Sequence, residues 1–128
     1  MLAAVHPGEV TVERKQPGVV VVSLTGEHDL NTAPTLRERL DEALEQGDPM
    51  VLNLSEAEFI DSSIIGALLD AQRRAEEAGL GFATALEDGA PPVRRVLQVT
   101  GLDASLPVRG SEREAIERVS SGPEGPDG

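Results

Sequence analysis

Val19-Val20-Val21-Val22-Ser23-Leu24 is an almost continuous β-branched run, and it narrows the possible folds more than any other stretch of the chain. A strand with one wet face alternates apolar and polar residues, whereas a run like this one needs cover on both faces or nearly so. Ahead of it, Val10 to Arg14 alternates and Gln16-Pro17-Gly18 has turn composition, so the two strands read as a hairpin with the first towards an edge and the second central. Beyond the hairpin, strands and helices alternate, which implies right-handed crossovers and a mostly parallel, twisted sheet with helices packed against it. The expected class is α/β: an N-terminal hairpin leading into a mixed, mostly parallel sheet of about four or five strands with about four helices.

The helices announce themselves by spacing. Thr32 or Asn31 can cap a helix with Pro34 in its first turn and with Leu36, Leu40 and Leu44 four apart, ended by Gly47-Asp48-Pro49. Met50 to Leu54 is a short apolar strand, followed by a polar connection from Ser55 to Glu58. A second helix runs from Ser62 to about Ala78, with Ile64, Leu68, Ala71, Ala75 and Ala78 in one stripe. Leu80 to Leu86 reads as a further strand and Val93 to Val99 as a short helix ended by Gly101. Leu106-Pro107-Val108 can close the sheet, and Ser111 caps a last helix through Val119. One domain over residues 9–119 is expected, with an extension at 1–8 and a disordered tail of small, acidic, Gly and Pro residues at 120–128.

With aromatics at 2% and no Trp or Tyr, the core must be aliphatic, with Phe59 and Phe82 as its rings, and base stacking on single-stranded nucleic acid has no support. The formal net charge of -12 argues against nucleic acid and anionic membranes as partners. Zero cysteines exclude disulfides and thiolate metal sites. Residues 1–8 lack the pattern of a signal peptide and no segment has the apolar length of a membrane span, so a cytoplasmic location is expected.

In a parallel sheet the functional loops gather at the carboxyl ends of the strands. The loops at Gly26 to Thr32, Ser55 to Ser62 and Glu87 to Pro92 follow strands and should share one rim. They bring Glu27, Asp29, Glu56, Glu58 and Asp61 together, but no metal-ligand spacing or phosphate loop accompanies them, so neither a cofactor nor catalysis is expected. His28 reads as a solvated loop residue. Asp61-Ser62-Ser63 opens the second helix, where first-turn N–H groups lack intrahelical partners and the helix dipole is positive. Ser and Asp serve there as caps, and the same geometry accommodates an added phosphate.

The order of elements and four local motifs resemble the STAS family, in particular the bacterial anti-sigma factor antagonists. The motifs are Gly26-Glu27-His28-Asp29-Leu30 with Thr32-Ala33-Pro34, Val51-Leu52-Asn53-Leu54-Ser55, Phe59-Ile60-Asp61-Ser62-Ser63 with Gly66 and Leu68, and Val96-Leu97 to Thr100-Gly101-Leu102. The resemblance covers roughly Glu9 to Val119. It implies a non-enzymatic switch that binds an anti-sigma factor serine kinase, frees a sigma factor, and is released when that kinase phosphorylates it, with a phosphoserine phosphatase to reset it. The phosphate maps onto Ser62, with Ser63 as fallback acceptor and Asp61 positioning the hydroxyl. Glu27, His28, Asp29, Asn31, Asp61, Ser62, Ser63 and Ile64 map onto the partner-binding surface of a monomer or weak dimer.

Two positions depart from the family pattern. Ile64 stands where glycine is usual, either adding a β-branched side chain where the kinase approaches or packing into the core; Asn53 stands where a strand aspartate is usual, removing one charge near the rim. The alternative function is a STAS-like scaffold or docking subunit of a signalling or transporter assembly without phosphorylation. A nucleotide-binding module has less support, since no phosphate loop is visible.

Overall fold

The computed structural model describes residues 6–15, 18–99 and 108–120. Its elements run β1 (Glu9–Lys15), β2 (Val19–His28), α1 (Ala33–Gln46), β3 (Met50–Asn53), β4 (Ala57–Ile60), α2 (Ser62–Glu77), β5 (Phe82–Ala85), α3 (Pro91–Val99), β6 (Val108–Arg109) and α4 (Glu112–Ser120). They build one mixed sheet of six strands in the order β1-β2-β3-β5-β6, with β4 also paired to β2. β1 is antiparallel to β2 and every other pairing is parallel. The expected N-terminal extension up to Val5, the Gln16-Pro17 part of the hairpin turn, Gly101 as the stop of α3, the Leu106-Pro107 part of the closing strand and the tail from Ser121 lie outside the described residues. Ser120, expected in that tail, is the last residue of α4.

The valine run behaves as its composition demands. Val20, Val22 and Leu24 enter a large apolar cluster with Leu36 and Leu40 of α1, Ile64 and Leu68 of α2, and Val93 and Leu97 of α3. Val19 and Val21 point the other way, against Ala115 and Val119 of α4. Among the described residues α1, α2 and α3 therefore cover one face of the sheet and α4 the other. Cross-helix ion pairs align α1 with α2: Arg37 Nη1 lies 2.8 Å from Asp70 Oδ2, and Arg74 pairs with Asp41.

Two corrections concern the strands. β4 begins inside the stretch from Ser55 to Glu58 read as a polar connection, and its partner is the last part of β2. Beyond its pairing with β3, β2 continues and pairs Gly26 with Ala57, Glu27 with Phe59 and His28 with Ile60, with a register irregularity between Gly26 and Glu27. Gly26 adopts φ +80, and a Cβ there would sit 2.4 Å from the Pro7 carbonyl oxygen, so only glycine fits this crossing without displacing backbone. Phe59 is also not a core ring: it is 40% exposed, whereas Phe82 is buried.

Thr84 in β5 is fully buried, and its Oγ1 has no hydrogen-bond partner among the described residues. An unpaired buried hydroxyl is unfavourable by about 1–3 kcal/mol, and valine has nearly the same shape. Thr84→Val is expected to stabilise the fold by about 1 kcal/mol, read as a higher urea midpoint with an unchanged m-value; a lower midpoint would show that the hydroxyl is satisfied.

Candidate functional site

β4 ends in the buried Ile60, and the chain turns at Asp61 into α2. Asp61 is extended (φ -116, ψ -172) and is the N-cap. Its Oδ1 accepts from the Ser63 amide at 2.9 Å, the Ser63 hydroxyl at 2.6 Å and the Ile64 amide at 3.3 Å. A further bond comes from the Leu30 amide in the β2–α1 loop, so one carboxylate fastens two segments of the rim. Partial burial pushes the Asp61 carboxyl up, but the bonds from the Ser63 hydroxyl and from the Ile64, Ser63 and Leu30 amides outweigh it and hold the group below the usual carboxylate range. Asp61, expected to position the Ser62 hydroxyl, caps the turn that carries Ser62.

Ser62 is the first residue of α2 and is exposed. Ser63 is half-buried, its hydroxyl donated to Asp61. Glu27 and Asn31 are exposed, and half-buried Asp29 accepts the Asn31 amide through Oδ1 at 2.9 Å. Glu58 lies 2.7 Å from His6 Nδ1. Leu30, 73% exposed, and Phe59 add apolar surface beside these groups. Sequence reasoning missed both, though a leucine inside a loop of polar residues was the available signal.

His28 and Ile64 do not belong to this surface. His28 is fully buried. Its Nε2 lies 2.9 Å from the Thr25 carbonyl oxygen, which can only accept, so that nitrogen carries a proton; Nδ1 lies 3.0 Å from Thr32 Oγ1. Thr32 is the N-cap residue of α1 but makes no side-chain cap; its hydroxyl serves His28 and Asp29. His28 therefore sits inside the loop and shapes it. Ile64 is also fully buried, in the cluster beneath α1 and α2, and leaves the approach to Ser62 clear.

Asn53 proves to be a joint rather than a lost rim charge. Its Nδ2 donates to Glu112 Oε1 at 2.8 Å, and its Oδ1 accepts the Ser55 amide at 2.9 Å. Lys15 Nζ donates to Glu112 Oε2 at 2.6 Å. Lys15 first, and Asn53 after it, hold the Glu112 carboxyl below its usual range against partial burial. An aspartate at position 53 would face a carboxylate already in place.

Among the described residues no group of three His, Asp or Glu side chains could hold a metal ion, and no helix is long and apolar enough to cross a membrane. Among the described residues neither histidine is bonded to a serine: His6 is paired with Glu58, and His28 with Thr25 and Thr32. What the rim offers is an exposed hydroxyl at a capped helix start, bordered by carboxylates and two apolar side chains.

Similar architectures and sequences occur in characterised proteins. The anti-sigma F factor antagonist of Paenibacillus polymyxa is 35% identical over 104 residues, 80% of this chain and 87% of that protein. The crystal structure of an anti-sigma factor antagonist from Mycobacterium paratuberculosis matches with a TM-score of 0.79 at 30% identity, covering 93% of this chain and 99% of that one. The phosphorylated form of the Bacillus cell fate determinant SpoIIAA matches with a TM-score of 0.65 at 31% identity, covering 87% and 99%. Residues 11–109 match the family model described as Mlab, STAS domain, and with the six-stranded mixed α/β fold this makes the chain a member of the STAS domain family.

Proposed function

We propose that this chain is a non-enzymatic anti-sigma factor antagonist: it binds an anti-sigma factor serine kinase, frees a sigma factor, and is switched off when the kinase phosphorylates Ser62. The observation that carries this reading is the contrast at the start of α2, where Ser62 is exposed and the neighbouring Ser63 hydroxyl is committed to Asp61 at 2.6 Å. Two similar proteins are named as antagonists of anti-sigma factors, and a third similar structure is of a phosphorylated form. Glu27, Asp29, Asn31, Leu30 and Phe59 lie at the end of β2, in the loop after it and in β4, segments joined to the start of α2 through Asp61 and Ile60, and supply a mixed acidic and apolar contact surface. A phosphate adds between about one and a half and two negative charges to a chain already at -12. It leaves the fold in place and repels whatever acidic groups the partner sets against the rim.

The test is intact mass and peptide mapping after incubation with ATP and each serine-kinase anti-sigma factor of the source organism. One phosphate on Ser62, absent from Ser62→Ala and retained in Ser63→Ala, is the expected result. Phosphate on Ser63 would overturn the assignment. A stable complex without phosphate would support a constitutive docking subunit instead.

A further inference from the structure

The α2 face that begins at Ser62 continues through Gly66 to Asp70, one residue every four positions. Arg37 of α1 lies across it. Its Nη1 donates to Asp70 Oδ2 at 2.8 Å, and its Nη2 stands 3.6 Å from where a Cβ on Gly66 would be. Gly66 is helical, so its backbone conformation makes no demand for glycine, and a glycine inside a helix is unfavourable beside alanine. What it provides is a bare track beneath the guanidinium, running from Asp70 towards Ser62.

We propose that Arg37 is the internal counter-ion of phosphorylated Ser62, its guanidinium leaving Asp70 and moving from its present place over Gly66 about one helical turn towards the N-terminus, to the phosphate. This rests on reading Ser62 as the phosphorylated residue. Reach favours it: residues four apart on a helix have Cβ atoms about 5–6 Å apart, and Cβ bonds lean towards the N-terminus, so the space above Gly66 opens towards position 62. Relative strength favours it as well. The present pair is half exposed at both ends, 46% for each side chain, and exposed pairs of this kind are weak. A phosphate dianion presents three acceptor oxygens that match the guanidinium fork. Asp70 would not be stranded, because Arg73 Nη2 already lies 3.3 Å from its Oδ1. The first-turn amides cannot take the phosphate's charge in the same way, since Asp61 already occupies those of Ser63 and Ile64. Phosphorylation then changes the rim twice, adding a dianion at position 62 and drawing a cation towards it.

The experiment places phosphoserine at position 62 of the full chain by amber-codon suppression, so it needs no kinase, and follows the phosphate by ³¹P NMR as pH is varied. A nearby cation favours the dianion and lowers the second phosphate pKa from its ordinary value of about 6. The expected result is a pKa about half a unit lower in the parent chain than in Arg37→Gln, with partial recovery in Arg37→Lys. Gly66→Leu, which fills the track without changing net charge, should raise the pKa as Arg37→Gln does; Arg74→Gln, at the far end of the same helix pair, should leave it alone. Identical titrations of the parent and Arg37→Gln chains would overturn the proposal. The absence of any kinase acting on Ser62 would instead overturn the assignment of Ser62, so the two failures are distinguishable.

Discussion

Ile64→Gly, the change that restores the residue usual in the family at this position, is expected to destabilise the isolated chain by about 3–5 kcal/mol. Ile64 is fully buried within the main cluster, which also holds Leu36, Ile60 and Leu68. Removing a buried isoleucine side chain down to alanine typically costs about 2–5 kcal/mol through lost transfer energy and the cavity left behind. Glycine adds up to about 1 kcal/mol more in a helix, and less in the first turn, where residue 64 lies. Against a typical total stability of about 5–15 kcal/mol, the variant should stand close to the edge of folding. The chain has no Trp or Tyr, so urea unfolding is best followed by circular dichroism. A large fall in midpoint is the expected outcome. A loss under about 1 kcal/mol would mean that the site collapses around the missing side chain or that Ile64 is not packed as described.

Ile64 also shows which kinds of sequence signal carry furthest. Helical spacing alone put it in one stripe with Leu68 and Ala71, and the structure buries all three; the family motif put it on the partner surface, and there the motif misleads because it names a neighbourhood without saying which way a side chain points. The valine run, the leucines of α1 and the βα loops were legible because each rests on periodicity or on where a parallel sheet puts its loops. That logic also placed Ser62 on the rim. β4 was not legible: four residues with adjacent Glu58 and Phe59 both exposed show no alternation, and their pairing with β2 changes register between Gly26 and Glu27. Asn53 was unreadable for a related reason, since its partner Glu112 lies 59 residues away on the helix that covers the opposite sheet face.

His28→Ala is expected to cost the isolated chain about 3 kcal/mol. A histidine between Glu27 and Asp29 reads from sequence as a solvated loop residue, yet its ring is fully buried and both nitrogens are engaged. Alanine would leave a cavity and deprive the Thr25 carbonyl of a donor, and each effect is unfavourable. Thr32 Oγ1 keeps Asp29 as a partner, with the Asp29 amide and carbonyl oxygen each at 3.2 Å, so the loop should loosen rather than come apart. That loosening has a direction. The Leu30 amide, which bonds Asp61, lies in the same loop, so amide exchange at residues 29–32 should accelerate beyond what the global loss of stability explains. A histidine that touched only a partner would behave oppositely, with an unchanged urea midpoint for the free chain and weakened binding in the complex. Denaturation and hydrogen exchange on the uncomplexed His28→Ala chain therefore decide the matter: a lower midpoint with faster exchange at Leu30 makes His28 the internal support of the loop that holds Asp61, and an unaltered midpoint returns it to the surface.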